Sequence, residues 1–211
     1  MDKTFEEAMD FRHACKEFDT NKKIECTDMR FIVGAGIKSP SSFGMEPWKF
    51  LMITDEKIKE ALRPLCWDQA QITTCSNLVV MLALIEDIKP SSGVPLKMFS
   101  RKGLSEDLTK AYVKKYEDKL APILEDDEKI FNYSSAQIHI AAANMMTAAA
   151  TRGIDSCPIG GFERLEVEKL LKIDKKKCGV ALILPFGYRK NTQSKQLRKT
   201  FEEVVTHIKS I

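Results

Sequence analysis

The sequence predicts a protein of helices packed around a few buried strands. Three stretches carry that prediction. LVVMLALI (78–85) and GVALILPFG (179–187) are unbroken apolar runs of strand length, as strands covered on both faces require. SSAQIHIAAANMMTAAATRG (134–153) is far too long for a strand. It reads as an Ala-rich helix closed by Gly153, the usual residue just past a helix end. Its small apolar surface implies close packing on more than one side.

The other elements follow in chain order. Thr4 with Glu7 fits a capping box, which opens a first helix that runs out near Arg12. Thr27 is the candidate N-cap of a second helix through Met29, Ile32, Val33 and Ile37. That helix must stop before Ser39-Pro40, because the residue preceding proline avoids the α region. PSSFGMEPW (40–48) is a loop, KFLMI (49–53) a strand, and Asp55 caps a third helix, EKIKEAL. Residues 87–133 are charged and helical, between KPSSGVP and EDDEK. They read as a mobile helical excursion from a single domain spanning 1–211. A short helix (LEVEKLLKI), the 179–187 strand and a basic polar tail complete the chain. GAG at 34–36 is no dinucleotide fingerprint: it lies late in a helix, with no strand before it.

Composition narrows the function. Lys+Arg 33 against Asp+Glu 30, interspersed along 211 residues, offers no basic stripe of the kind nucleic-acid binding needs. No segment is apolar for the length of a bilayer, and MDKTFEEAMDF lacks the apolar core of a signal peptide. The six cysteines form no CxxC and the three histidines are far apart, so zinc-ligand spacing is absent. A chain of this size buries a core without disulfides. Reduced thiols and a cytoplasmic protein are the expectation.

RHACKEFD (12–19) is the first segment with chemistry in it. Alone, Arg12 reads as a solvated helix end. Cys15 between His13 and Lys16 reads either as an activated thiol or as a small polarizable contact in a pocket; no oxyanion donor or orienting acid accompanies it. The block changes meaning beside two others, SPSSFGMEPWKF (39–50) and GIDSCPIGGF (153–162). In this order and spacing, around the Ala-rich helix, the three resemble the FMN-dependent nitroreductase family, from about Phe5 to Gly187. Cys15 is similar to the residue of the subgroup that activates nitroimidazoles.

The resemblance implies an α+β fold: a mixed sheet flanked by helices, in an intertwined homodimer with FMN at the interface. It implies a ping-pong oxidoreductase, in which hydride passes from NADH or NADPH through flavin N5 to a nitroaromatic, quinone or similar electron-poor acceptor. By the family pattern, Arg12 and Arg198 bind the phosphate, with Gln196 or Lys195 in place of a second basic residue. His13 and Ala14 line the flavin. Lys16 reaches its N1–O2 edge, where a fixed cation favours the anionic reduced form. Pro40, Ser41, Ser42 and Gly44 contact the cofactor from the other subunit. Pro158, Ile159, Gly160 and Gly161 cover its opposite face. Cys15, Phe43 and Phe99 are acceptor-pocket candidates, with Tyr112 and Tyr116 further candidates for a lid. No side-chain acid or base and no metal is required; small-molecule acceptors and a second copy of the chain are the partners.

The sequence also departs from the family. Asp68 and Gln71 stand where an Asn and a Lys contact the flavin, Gly44 replaces an Asn, Glu46 a Gln, and Gly160 a Glu. Losing one cation and gaining one anion predicts a lower flavin midpoint potential. The same scaffold also serves dehalogenation, enoate reduction, flavin fragmentation and non-catalytic FMN binding.

Overall fold

The computed structural model describes residues 2–209. Helix α1 (Phe5–Phe11) opens with the capping box: Thr4 accepts from the Glu7 N–H, and Glu7 accepts from the Thr4 N–H. Helix α2 (Cys26–Ile37) starts two residues before the position that a Thr27 cap implies. Glu25 is its N-cap and supplies no side-chain bond. Strand β1 (Trp48–Ile53) leads to α3 (Glu56–Leu62), where Asp55 accepts from the Ile58 N–H. After α4 (Gln71–Thr74) come β2 (Asn77–Leu84), α5 (Val94–Ser100), α6 (Glu106–Leu124) and α7 (Asp127–Thr151). The chain closes with β3 (Asp155–Ser156), α8 (Arg164–Leu170), β4 (Cys178–Gly187) and the single turn α9 (Phe201–Val204).

Strand order is β1-β2-β4-β3, and each neighbouring pair is antiparallel. The mixed sheet expected above is thereby corrected. Among the described residues, the parallel component is one isolated bridge, Ala14 with Ser156. The apolar runs follow from the layers. Val79, Met81 and Ala83 enter one core with α2 and α7, whereas Leu78, Val80 and Leu82 enter a second core with α3, α4 and α8. A strand buried on both faces cannot alternate with polar residues. β4 carries a bulge at Ala181, and the buried Glu168 carboxylate accepts the neighbouring Val180 N–H.

One boundary and the packing of one segment differ from expectation. EDDEK, expected near the end of the helical excursion, is the start of α7, which begins at Asp127 rather than near Ser134. Asp126 caps the Glu128 and Lys129 N–H groups, and Asp127 and Glu128 complement the positive end of the helix. Nor does the excursion stand apart: Phe99, Tyr116 and Leu120 are buried in the α2–α7 core. Among the described residues, no helix is long and apolar enough to cross a membrane.

Candidate active site

Beyond α1 the chain turns extended at Arg12 and runs as a strap across the sheet edge. The Cys15 N–H donates to the Ser156 carbonyl at 3.1 Å, Asp19 N–H to Tyr188, and Lys190 N–H back to Glu17. The Phe18 ring lies against Gly187, where a Cβ would stand 2.7 Å from it. The strap is thus fixed between β3 and the segment after β4.

Beneath the strap is a charge network that the sequence reading did not find. Asp155, with a side chain 2% exposed, receives the Arg189 fork: Nη2–Oδ1 2.7 Å, Nε–Oδ1 2.9 Å and Nε–Oδ2 3.1 Å. The Arg189 backbone N–H also donates to Oδ2 at 2.9 Å. Arg189 stacks on the Phe11 ring at 4.0 Å and donates to Gln193 at 2.6 Å. His13 Nδ1 stands 3.6 Å from Asp155 Oδ1, beyond hydrogen-bond length, and has no partner among the described residues. Burial, then the Arg189 charge, holds the imidazole below its usual pKa, against the pull of Asp155. Burial pushes the Cys15 thiol up to about 11, the behaviour of a packing thiol rather than a nucleophile. Ligand atoms of His13, Cys15 and Asp155 lie within 4.8 Å of one another. Both Asp155 oxygens are already held by the Arg189 guanidinium.

On the other side of the strap, the Lys16 Nζ points at the buried Cys157 Sγ, 3.8 Å away. The Gln71 amide donates to the same sulfur at 3.7 Å and to Gln69 Oε1 at 3.0 Å. Gln69 in turn donates to the Gly161 and Cys66 carbonyls, both at 2.9 Å. Arg12 and Lys16 have no carboxylate partner among the described residues, although the acids beside them do: Asp155 pairs with Arg189, and Glu17 with Lys190 at 2.6 Å. A cavity of about 330 Å³ opens here, lined by residues 13–17 of the strap, Ala70, and Asn191, Thr192 and Ser194 of the tail.

The structure does not gather every candidate at this cavity. Pro40, Ser41, Ser42 and Gly44 belong to a separate tight loop, with positive φ at Phe43, Gly44 and Glu46. There Ser41 Oγ accepts the Glu46 N–H, and the Ser42 N–H donates to Gln137. Phe43 packs edge-on to Tyr116 and Tyr112. Phe99, expected at the acceptor pocket, is 1% exposed and packs on the same two tyrosines. The Tyr116 hydroxyl is also buried and donates to the Ile88 carbonyl. Phe99 and Tyr116 are core residues in this chain, not cavity lining.

In the third block, Ile159 ladders with Ile183, while Pro158 and Gly160 are exposed. Gly161 lies under the Trp67 indole, where a Cβ would meet the ring at 2.4 Å. Trp67 is 65% exposed, yet its Nε1–H donates to Glu163 at 2.9 Å. Trp67 and its neighbour Asp68 both have positive φ, and Asp68 is exposed. Arg198 is exposed and donates to the Leu197 carbonyl. The Gln196 amide donates to the Met9, Asp10 and Arg12 carbonyls at the end of α1. Asp155 was legible in principle, since an acid inside an apolar block must find a cation on burial.

A profile of the Nitroreductase family matches residues 9–188. YfkO of Bacillus subtilis (strain 168), provisionally named an NAD(P)H nitroreductase, is 37% identical over 209 residues, covering 94% of this chain and 95% of its own. A Haemophilus influenzae (strain ATCC 51907 / DSM 11121 / KW20 / Rd) protein with the same provisional name is 37% identical over 202 residues, covering 92% and 91%. A solved structure from Exiguobacterium sibiricum 255-15, provisionally named a nitroreductase and in complex with FMN, superposes with a TM-score of 0.82 at 22% identity, over 98% of each chain.

Proposed function

This chain belongs to the nitroreductase family, and from that premise we propose that it is an FMN-dependent oxidoreductase driven by NADH or NADPH. The observation that carries the reading is the pair of unneutralised cations on one fixed strap: Lys16, which lines the 330 Å³ cavity, and Arg12, which precedes the first lining residue, His13. A phosphate-bearing cofactor whose reduced form is anionic fits that donor set. The names of the relatives and the FMN held by the Exiguobacterium protein support the same group.

In this reading Arg12, joined by Arg198, holds the phosphate. Lys16 places its ammonium where negative charge develops. His13, Ala14 and Gln71 line the cofactor, and Gly160, with no atom within 4 Å of where a Cβ would stand, allows a flat ring to approach the backbone closely, while Gly161 is already covered by the Trp67 indole. The chemistry that bound FMN supplies is two-electron transfer, from NAD(P)H to a nitroaromatic, quinone or similar acceptor, each using the site in turn. The chain's own contribution is proximity and electrostatics.

The active form is a homodimer, with Pro40, Ser41, Ser42 and Gly44 serving the partner's cavity. Phe31, Ile37 and Ile140 on α2 and α7, and Leu197, Phe201, Val204 and Ile208 in the tail, are exposed apolar side chains that a second copy would cover. Burying each such side chain fully is worth about 1.5–3 kcal/mol.

The test is a visible spectrum of the purified protein, then anaerobic reduction with each nicotinamide and reoxidation by nitrofurazone or menadione, with mass measured by light scattering. A yellow dimer bleached by NADH or NADPH is expected. A colourless monomer that takes up no added FMN would overturn the reading.

A further inference from the structure

Lys16 is an exposed residue whose ammonium nevertheless turns inward onto a fully buried sulfur. A lysine stem has about 2 kcal/mol of rotamer entropy and wanders unless something holds its end. What holds this one is unusual in its chemistry. It is not a carboxylate, the common partner of a lysine, but the Cys157 thiol.

Cys157 is a fixed point. Its backbone N–H donates to the Pro185 carbonyl at 3.2 Å, and its Sγ also accepts from Gln71, which is itself buried and held by Gln69. Contacts therefore run without a break from Lys16 through Cys157, Gln71 and Gln69 to the Gly161 carbonyl. A carboxylate at position 157 would form an ion pair and cancel the Lys16 charge. An alanine would leave the ammonium to the solvent. A neutral sulfur gives it direction without cancelling it, and burial keeps this thiol protonated.

We infer that Cys157 is the positioning residue for Lys16: it holds the ammonium over the cavity while leaving its full charge for a bound anionic cofactor. The inference rests on the FMN reading above, and its consequence is a preference for reduced over oxidised cofactor that depends on the side chain at 157.

The test measures two quantities on the holoprotein, the Kd for oxidised FMN and the midpoint potential, neither of which requires turnover. Cys157→Ala is expected to lower the ratio of reduced to oxidised FMN affinity about tenfold, which is about 30 mV for a two-electron couple. Cys157→Asp lowers it at least as far, and Cys157→Ser returns it to within about threefold of the parent, since a hydroxyl is also a neutral acceptor. In a Lys16→Met background, Cys157→Ala has no further effect, because the two residues act as one unit. Should the aspartate variant fail to fold, the alanine–serine pair and the Lys16→Met cycle still decide. Folded Cys157→Ala protein at the parent potential, or an equal effect with and without Lys16, sinks the inference and leaves the FMN reading intact. Parent protein that binds no FMN sinks the FMN reading itself.

Discussion

Replacing Asp155 by Asn tests whether the network under the strap holds the first block in place. Asparagine keeps the volume, and its one carbonyl oxygen still accepts the Arg189 backbone N–H, now 2.9 Å from Oδ2. The charge is lost, and with it the fork at 2.7–3.1 Å. Charge-assisted bonds contribute about 1.5–3 kcal/mol and neutral ones about 0.5–1.5. The amide NH2 cannot accept, so one arm of the fork is lost and the other becomes a neutral bond, which together costs roughly 2.5–4.5 kcal/mol. The Arg189 side chain is 22% exposed and keeps Phe11 and Gln193, so the cost belongs nearer the low end of that range. For a chain of this length each kcal/mol moves Tm by about 2–4 °C, which gives a drop of about 5–10 °C. The reverse deletion, Arg189→Met, is worse. It leaves a carboxylate only 2% exposed without its cation, a break that costs about 3–5 kcal/mol. Thermal melts followed by circular dichroism, at one protein concentration and with saturating FMN, measure both. The reasoning is refuted if Asp155→Asn melts within about 1 °C of the parent, if the order of the two variants is reversed, or if the double variant loses the full sum of the singles.

Three further outcomes follow from the same geometry. The folded pKa of His13 lies below the unfolded value near 6.5, so the unfolded chain takes up a proton first as pH falls. Stability should decline as pH falls from about 6.5 down through the folded pKa, and His13→Gln should flatten the urea midpoints over that fall. Phe99→Ala should cost about 3–5 kcal/mol in denaturant titrations, as a cavity in an aromatic core does; a variant with parental stability and only a raised KM would restore Phe99 to the pocket rim. Gln71→Lys should raise the FMN midpoint potential, because position 71 touches the same sulfur as Lys16. Asp68→Asn should move it less, since water screens the exposed carboxylate, and a flat response in both variants would reject the electrostatic argument.

What could be read from the sequence was local. β2 and β4 showed themselves because burial on both faces forces apolar runs, and α1 and α3 because their caps lie within three residues of the bonds they make. The start of α7 falls ahead of Ser134 because the acidic run at 126–128 caps and opens this helix, as acids favour a helix N-terminus, rather than ending the helical excursion before it. α2 began early because no side chain caps it. β3 has two residues, too few for any period to register. Antiparallel pairing joins segments far apart in sequence, and no pattern within one strand reports its neighbour's direction. The site divides in the same way. Arg12, His13 and Lys16 could be named from one octapeptide. Arg189 lies 34 residues from Asp155 and Cys157 lies 141 from Lys16, so which charge is neutralised emerged only on folding.

That division of charge explains how a strap of ordinary composition keeps two cations without a carboxylate partner among the described residues. Arg12, Lys16 and Glu17 lie on it, Asp155 lies under it, and Arg189 with Lys190 arrives from the end of β4. Buried or half-buried carboxylates at the strap need a cation. Arg189 takes Asp155 through a bidentate fork that a lysine could not form, and Lys190 takes Glu17 at the rim. Both acids are thereby matched from a different segment, and Arg12 and Lys16 are left over. The surplus positive charge is a consequence of the pairing pattern, not of net composition: a chain at +3 overall concentrates two unmatched cations on one stretch of five residues. A thiol under one of them preserves that surplus where a carboxylate would have erased it.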